Sequence, residues 1–269
     1  MVSKDTIRGV LHMYITELET PAVLLDLDIA EKNLQTYQQA CDKYKKSLWP
    51  MVKTHKSSYL LKKQMELGAE GFLCGTIDEC EMAAEAGAGK IMYAYPLANP
   101  KNISRLAVLA HKADIIIRID HLDVARMLET AAEKEGITFF YSIIVDMDFH
   151  RFGIAPSKVV AFAQEMKQFS HLKFFGISTH PGQVYGCTTQ AERQSVAKLE
   201  TETMGSVAAD LKAAGFTDFF VTSGSTPTFA LTVDQPEIQI YHPGNYIYHD
   251  AIQIALGSAK EADCSLSVL

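Results

Sequence analysis

ADIIIRIDHLDVARMLETAAEKEGITFFYSIIVDM, residues 113–147, holds two apolar β-type runs, ADIIIRI (113–119) and FFYSIIVDM (139–147), on either side of a helix-periodic segment, HLDVARMLETAAEKEG (121–136). Strand, helix and strand in that order predict a parallel βαβ unit. The strand runs are nearly continuous in apolar residues, as expected when helices cover a sheet. Outward from this unit the alternation repeats along almost the whole chain. Further strand candidates are PAVLLDL (21–27), LWPMVKT (48–54), GFLCG (71–75), KIMYAYP (90–96), FFGIST (174–179), FFVTSGS (219–225) and IQIYHPGNYIY (238–248). Helical periodicity marks DIAEKNLQTYQQACDKY (28–44), IDECEMAAEAG (77–87) and PSKVVAFAQEMKQF (156–169).

Eight or nine such units in 269 residues fit an α/β chain closed into a (β/α)8 barrel of the TIM type, typically ~250 residues long. A doubly wound open sheet would carry a glycine-rich nucleotide fingerprint after an early strand, and G-x-G-x-x-G is absent. Nine strand candidates for eight places mean that one lies outside the barrel or is not a strand.

Composition narrows the function. A net charge of −7, from 25 basic and 32 acidic side chains without like-charge blocks, leaves no footprint for nucleic acid or an anionic membrane. A small-molecule substrate is the expectation. Five scattered cysteines, Cys41, Cys74, Cys80, Cys187 and Cys264, with no C-x-x-C pair, predict reduced thiols in a cytoplasmic protein. No signal peptide and no run of transmembrane length is evident.

Barrel chemistry belongs at the strand C-termini and the loops after them. Lys53 ends LWPMVKT. Partly desolvated among Trp49, Met51 and Val52, its amine would have a depressed pKa and serve as a nucleophile. Taken alone, a strand-end lysine is more often a surface side chain that snorkels. Two later segments bear on it: VTSGSTPT (221–228) ends a strand in hydroxyl residues and glycine, and HPGNY (242–246) adds a second glycine turn. Hydroxyls and backbone N–H groups at such turns suit a phosphate monoester, though these residue types also make plain loop turns. A reactive lysine and a phosphate cup at one barrel mouth suggest pyridoxal phosphate.

The motifs PAVLLDLDIAEKNL (21–34), WPMVKTHKS (49–57), VDMDFHRFGI (145–154), STHPGQVYG (178–186), TSGSTPT (222–228) and HPGNYIYHDAIQIALG (242–257) occur in this order. In this the chain resembles the D-threonine aldolase and D-serine dehydratase-like enzymes, pyridoxal-phosphate proteins of fold type III that share the barrel of alanine racemase. The resemblance implies that Lys53 is the Schiff-base lysine, with His55 and Lys56 nearby as secondary acid–base or positioning groups. It implies that Arg151 reaches the cofactor's phenolic oxygen or the substrate side, that Tyr185 meets the pyridine nitrogen, and that His180 lies under the ring. Ser223, Gly224, Ser225 and Thr226, with Gly244 and Asn245, would form the phosphate cup. His242 stands where alanine racemases carry an arginine, which leaves the ring a weaker electron sink than one paired to a carboxylate.

The resemblance further implies a divalent metal, Mn2+ or Zn2+, held by a C-terminal β domain and acting as a Lewis acid on the substrate hydroxyl. No His-x-Cys or His-x-Asp pair of that kind occurs near the end of this sequence. His242, His249 and Asp250 fall in the strand and turn of the phosphate motif, so no metal site is assigned to them. The expected layout is an N-terminal segment (1–20) that would pair with the missing domain, a cofactor barrel (21–256), and the start of a truncated β domain (257–269). The implied activity is a lyase cleaving a D-3-hydroxy amino acid as D-threonine aldolase does. A D-serine dehydratase, an amino acid racemase, a non-catalytic pyridoxal-phosphate carrier and a barrel for another phosphorylated metabolite stay open. The assembly implied is a homodimer.

Overall fold

The computed structural model describes residues 14–269; most of the segment assigned to residues 1–20 lies outside that range. In chain order the elements are β1 (Val23–Leu25), α1 (Leu27–Lys43), β2 (Ser47–Leu48), α2 (Ser58–Leu67), β3 (Phe72–Cys74), α3 (Ile77–Glu85) and β4 (Lys90–Tyr93). They continue as α4 (Pro100–Leu109), β5 (Asp114–Ile119), α5 (Leu122–Glu135), β6 (Phe139–Ile144), α6 (Val159–Met166) and β7 (Leu172–Ser178). The last are α7 (Gln190–Ala213), β8 (Phe220–Ser223), α8 (Thr226–Thr232), β9 (Ile240–Tyr241), α9 (Ala251–Ala255) and β10 (Leu266–Val268). Local chemistry starts the helices where the sequence changes period. Asp26 caps α1 by accepting the Ile29 N–H at 3.0 Å. Thr189 and Glu192 form a reciprocal capping box at the start of α7.

Eight strands lie parallel in the order β2-β9-β8-β7-β6-β5-β4-β3. A parallel bridge between Met51 and Leu73, with the Leu73 N–H donating to the Pro50 carbonyl at 2.9 Å, joins the two ends of this sheet. The sheet thus curls into the expected barrel with helices outside. The ninth candidate, residues 21–27, is the one that does not fit: β1 pairs antiparallel with β10 in a separate two-stranded sheet. Among the described residues, no helix is long and apolar enough to cross a membrane.

The period-two geometry of a strand sends alternate side chains to the lumen and to the helices. In β5, Ile115, Ile117 and Ile119 join the large core between sheet and helices, while Ile116 enters a second cluster with Trp49, Met92 and Ile240. That second cluster fills the lumen, so the barrel is a packed core and not a pore. Arg118, two residues after Ile116, shares its face and is 3% exposed. The same alternation gives β9 an outward Tyr241 between inward Ile240 and His242.

Candidate active site

Above the lumen core, at the C-terminal ends of the strands, lies a cavity of about 400 Å³. Each of the eight strands, or the loop directly after it, contributes to its wall. Lys53 comes from a 3-10 turn, Val52–Thr54, where the apolar strand stops short of the lysine. Its Nζ donates to the Tyr95 hydroxyl at 3.1 Å. The desolvation expected from Trp49, Met51 and Val52 is not what the fold provides. Those three are buried, but Lys53 itself is exposed and reaches past them to the cavity. Lys56 lies outside the wall; its amine donates to the Lys53 carbonyl at 3.0 Å and lies 3.9 Å from the buried Glu79 carboxylate.

Arg151 follows β6 on a loop braced by Asp146, whose Oδ1 accepts the N–H groups of Phe149 and His150 at 3.0 Å. Its guanidinium stands 4.3 Å from the ring centre of Phe152, 4.8 Å from that of Phe149 and 5.8 Å from that of Tyr95. Among the described residues no carboxylate pairs with it, and partial burial lowers its pKa. The aromatic faces hold the cation at the wall by cation–π attraction and leave its hydrogen-bond donors available.

Two histidines are held neutral in one tautomer each. His180 Nδ1 lies 3.0 Å from the Gly224 carbonyl, and His242 Nδ1 lies 2.9 Å from the Trp49 carbonyl. A carbonyl only accepts, so Nδ1 carries the proton in both and Nε2 keeps its lone pair. Burial lowers the His180 pKa to about 4 and that of His242 to about 3, with Arg118 pushing both the same way. Nε2 of His242 has no hydrogen-bond partner. Tyr185, in the turn after β7, also lines the cavity and is 44% exposed.

The glycine turns meet the cavity from β8 and β9. Gly224, Ser225, Thr226, Gly244 and Asn245 all line it. Gly224 has φ +155°, and a Cβ there would lie 2.6 Å from the His242 nitrogen, so only glycine lets the two turns approach this closely. The buried Thr226 hydroxyl has no partner, and among the described residues the N–H groups of Ser225 and Gly244 donate to no protein acceptor. All three donors belong to residues that line the same hollow.

Two more expected residues, besides Lys56, are not in the wall. Ser223 faces the helices, and its hydroxyl donates to Glu200 Oε1 at 2.5 Å. His55 turns away from the cavity: its Nδ1 accepts the Ser57 N–H at 3.1 Å, and burial lowers its pKa to about 4.

The sequence profile described as "Alanine racemase, N-terminal domain" matches residues 25–251. The chain belongs to this family. It is 29% identical to D-threo-3-hydroxyaspartate dehydratase of Delftia sp. (strain HT23), over 94% of this chain and 67% of that protein. It is 25% identical to D-threonine aldolase of Arthrobacter sp., over 88% of this chain and 62% of that protein. The solved structure of D-threonine aldolase from Filomicrobium marinum superposes with a TM-score of 0.89 at 25% identity, covering 94% of this chain and 70% of that one. This chain therefore spans about two thirds of the length of those relatives.

Within this member of the alanine racemase N-terminal family, the motif-based reading of the site misses two wall residues with polar reach. Tyr95 follows β4 and meets Lys53. Arg118 projects from β5; its Nε donates to the Ser178 hydroxyl at 2.8 Å, Nη2 has no partner, and burial lowers its pKa to about 10. The signal for Arg118 was present in ADIIIRI: a charge inside an apolar parallel strand must be paired or turned to a functional lumen. Among the described residues no aspartate or glutamate lines the cavity, whose charged groups are Lys53, Arg118 and Arg151.

Proposed function

We propose that this chain is the pyridoxal-phosphate barrel of a lyase acting on D-3-hydroxy amino acids, with aldol cleavage of the D-threonine type as its reaction. The observation that carries this reading is the meeting of the Lys53 amine and a cup of unsatisfied donors on the wall of one cavity. The residues present fit the cofactor. Lys53 would hold its aldehyde, while the Thr226 hydroxyl and the backbone N–H groups of Ser225 and Gly244 would hold its phosphate. Gly224 and Gly244 keep the cup open, since a Cβ on Gly244 would come within 2.9 Å of Thr54 Oγ1. When bound, pyridoxal phosphate supplies an electron-withdrawing ring that stabilises negative charge at the substrate Cα.

The remaining work falls to the chain. With its amine free, Lys53 would be the base for a substrate proton, and the Tyr95 hydroxyl, 3.1 Å from Nζ, would be its proton partner. Arg151 presents a cation for an anionic oxygen of cofactor or substrate, held near the faces of Phe149, Phe152 and Tyr95. His180 is a flat neutral wall that cannot add positive charge above pH ~6. Tyr185, His180 and His242 would offer no strong acid to a pyridine nitrogen, which would leave a bound ring a moderate electron sink. That favours help at the substrate hydroxyl from a divalent metal, Mn2+ or Zn2+. In this reading the metal belongs to the second domain of a longer protein, and among the described residues no group of three His, Cys, Asp or Glu could hold one. A dehydratase or racemase outcome shares every residue named so far. The same reading carries a homodimer and a cytoplasmic location, the latter supported by five free cysteines.

Purified protein mixed with pyridoxal phosphate should develop a visible absorption band that borohydride abolishes. D-threonine, D-3-hydroxyaspartate and D-serine, offered with Mn2+ or Zn2+, then distinguish the outcomes. Glycine plus an aldehyde or 2-oxo acid marks an aldolase, and ammonia plus a 2-oxo acid marks a dehydratase. Stable cofactor binding with no turnover, in a protein carrying the second domain, points to a carrier. Absence of the visible band would contradict the proposal.

A further inference from the structure

Behind the donor cup, on the helix side of β8, lies a carboxyl group that the reading above leaves unused. Glu200 of α7 is fully buried at 0% exposure. One oxygen, Oε1, accepts the Ser223 hydroxyl at 2.5 Å, and the other, Oε2, has no hydrogen-bond partner. Burial pushes this carboxyl up to about 7, against the lowering pull of the Ser223 and Thr228 hydroxyls. The remaining titratable neighbour is the phenol of Tyr241 on β9, which donates to the Thr232 carbonyl at 2.6 Å. Of the charged side chains of α7, Arg193 donates to the Leu256 carbonyl at 2.6 Å and Lys198 pairs with Glu202 at 3.6 Å. Among the described residues no cation pairs with Glu200.

One hydroxyl links this acid to the strand end that carries the cup: Ser223, bonded to it directly, is the residue before Gly224. Thr228, on α8, lies with its hydroxyl 3.0 Å from that of Ser225. Ser225 and Gly224 both line the cavity. The acid thus lies one layer of side chains behind the cup.

Resting on the reading of the cup as a phosphate-ester site, we propose that Glu200 is its positioning residue and takes up one proton from solvent when the ester enters. As a carboxylate, Glu200 would repel a phosphate dianion through a poorly screening interior. As a neutral acid it keeps the Ser223 hydroxyl in place and offers no opposing charge. The proton ends on Glu200, so no bond of the ester changes. Linkage then requires binding to weaken as pH rises above the acid's value in the empty protein, by at most about tenfold per pH unit.

Pyridoxine 5'-phosphate is the probe, because its alcohol cannot condense with Lys53 and the pH dependence of amine chemistry stays out of the measurement. Titration calorimetry at pH 8, in two buffers of different ionisation enthalpy, counts the protons taken up. The wild-type protein should take up close to one proton more per probe than Glu200→Gln, and its affinity should fall more steeply from pH 7 to pH 8. Equal proton counts in the two proteins overturn the proposal. Should Glu200→Gln not fold, infrared difference spectra of wild type at pH 8 decide: a protonated-carboxyl band on adding probe supports the proposal, and none overturns it. If pyridoxal phosphate labels Lys53 while the proton counts match, only the role of Glu200 falls. If neither compound binds, the cofactor reading falls with it.

Discussion

Glu200→Gln in the cofactor-free protein should raise stability at alkaline pH and leave it nearly unchanged in acid. The carboxyl is fully buried and pushed from its ordinary 4.5 to about 7. A group raised on folding gives stability that is whole below its unfolded value and is lost as pH climbs through the folded one. The gap between 4.5 and about 7 corresponds to about 3 kcal/mol lost by pH 8.5. Glutamine cannot ionise, keeps an acceptor for the Ser223 hydroxyl, and places its amide where Oε2 already lacks a partner. Urea unfolding at about pH 4 and about pH 8.5 measures the difference. The variant should gain about 3 kcal/mol at the higher pH, or roughly 5–10 °C in midpoint temperature for a chain of this size, and almost nothing at the lower. Equal stabilities at pH 8.5, or a less stable variant there, would refute the picture of an unpaired buried acid.

Other perturbations test other parts of the site. His55 is lowered to about 4 by burial, so its contribution is whole above 6.5 and lost as pH falls through 4. His55→Asn should remove up to one proton from the acid-unfolding slope, or up to about 3 kcal/mol across that window, without altering phosphate-ester binding. Gly224→Ala sets a Cβ 2.6 Å from the His242 nitrogen at a φ of +155°. It should cost about 1–3 kcal/mol in denaturant unfolding and weaken pyridoxine 5'-phosphate binding. Arg118→Met removes a cation that helps hold His180 and His242 below their ordinary value of 6.5. Nitrogen-15 NMR titration of both imidazoles should show their pKa values rising toward that value, and unchanged values would mean that Arg118 plays no part in lowering them.

The barrel was legible because its strands are short, apolar and spaced by helical periods, each a local property of the chain. The exception is instructive. PAVLLDL has strand character, yet its three-residue core pairs with Leu266–Val268 at the other end of the chain, and no local pattern carries that partner. Lys53 was legible as a strand-end amine, but its exposure was not, because a 3-10 turn carries it beyond the apolar residues before it. His55, two residues on in a turn of about three residues per cycle, points to a different side. Ser223 fails for the strand reason: with side chains alternating, it shares the outward face of Val221 and meets α7, while Gly224 faces the lumen. Tyr95 and Arg118 reach the site only because β4 and β5 stand on the lysine's side of a closed sheet. Sequence order does not contain that proximity.

The proposed chemistry stands on Lys53 as the amine that binds the cofactor aldehyde. Borohydride reduction of the protein with pyridoxal phosphate, followed by peptide mapping of the pyridoxyl group in wild type and Lys53→Ala, tests this. One stoichiometric label on Lys53 and loss of the visible band in the variant are expected. A label on Lys56 or scattered over surface lysines, or a band that survives Lys53→Ala, would contradict it.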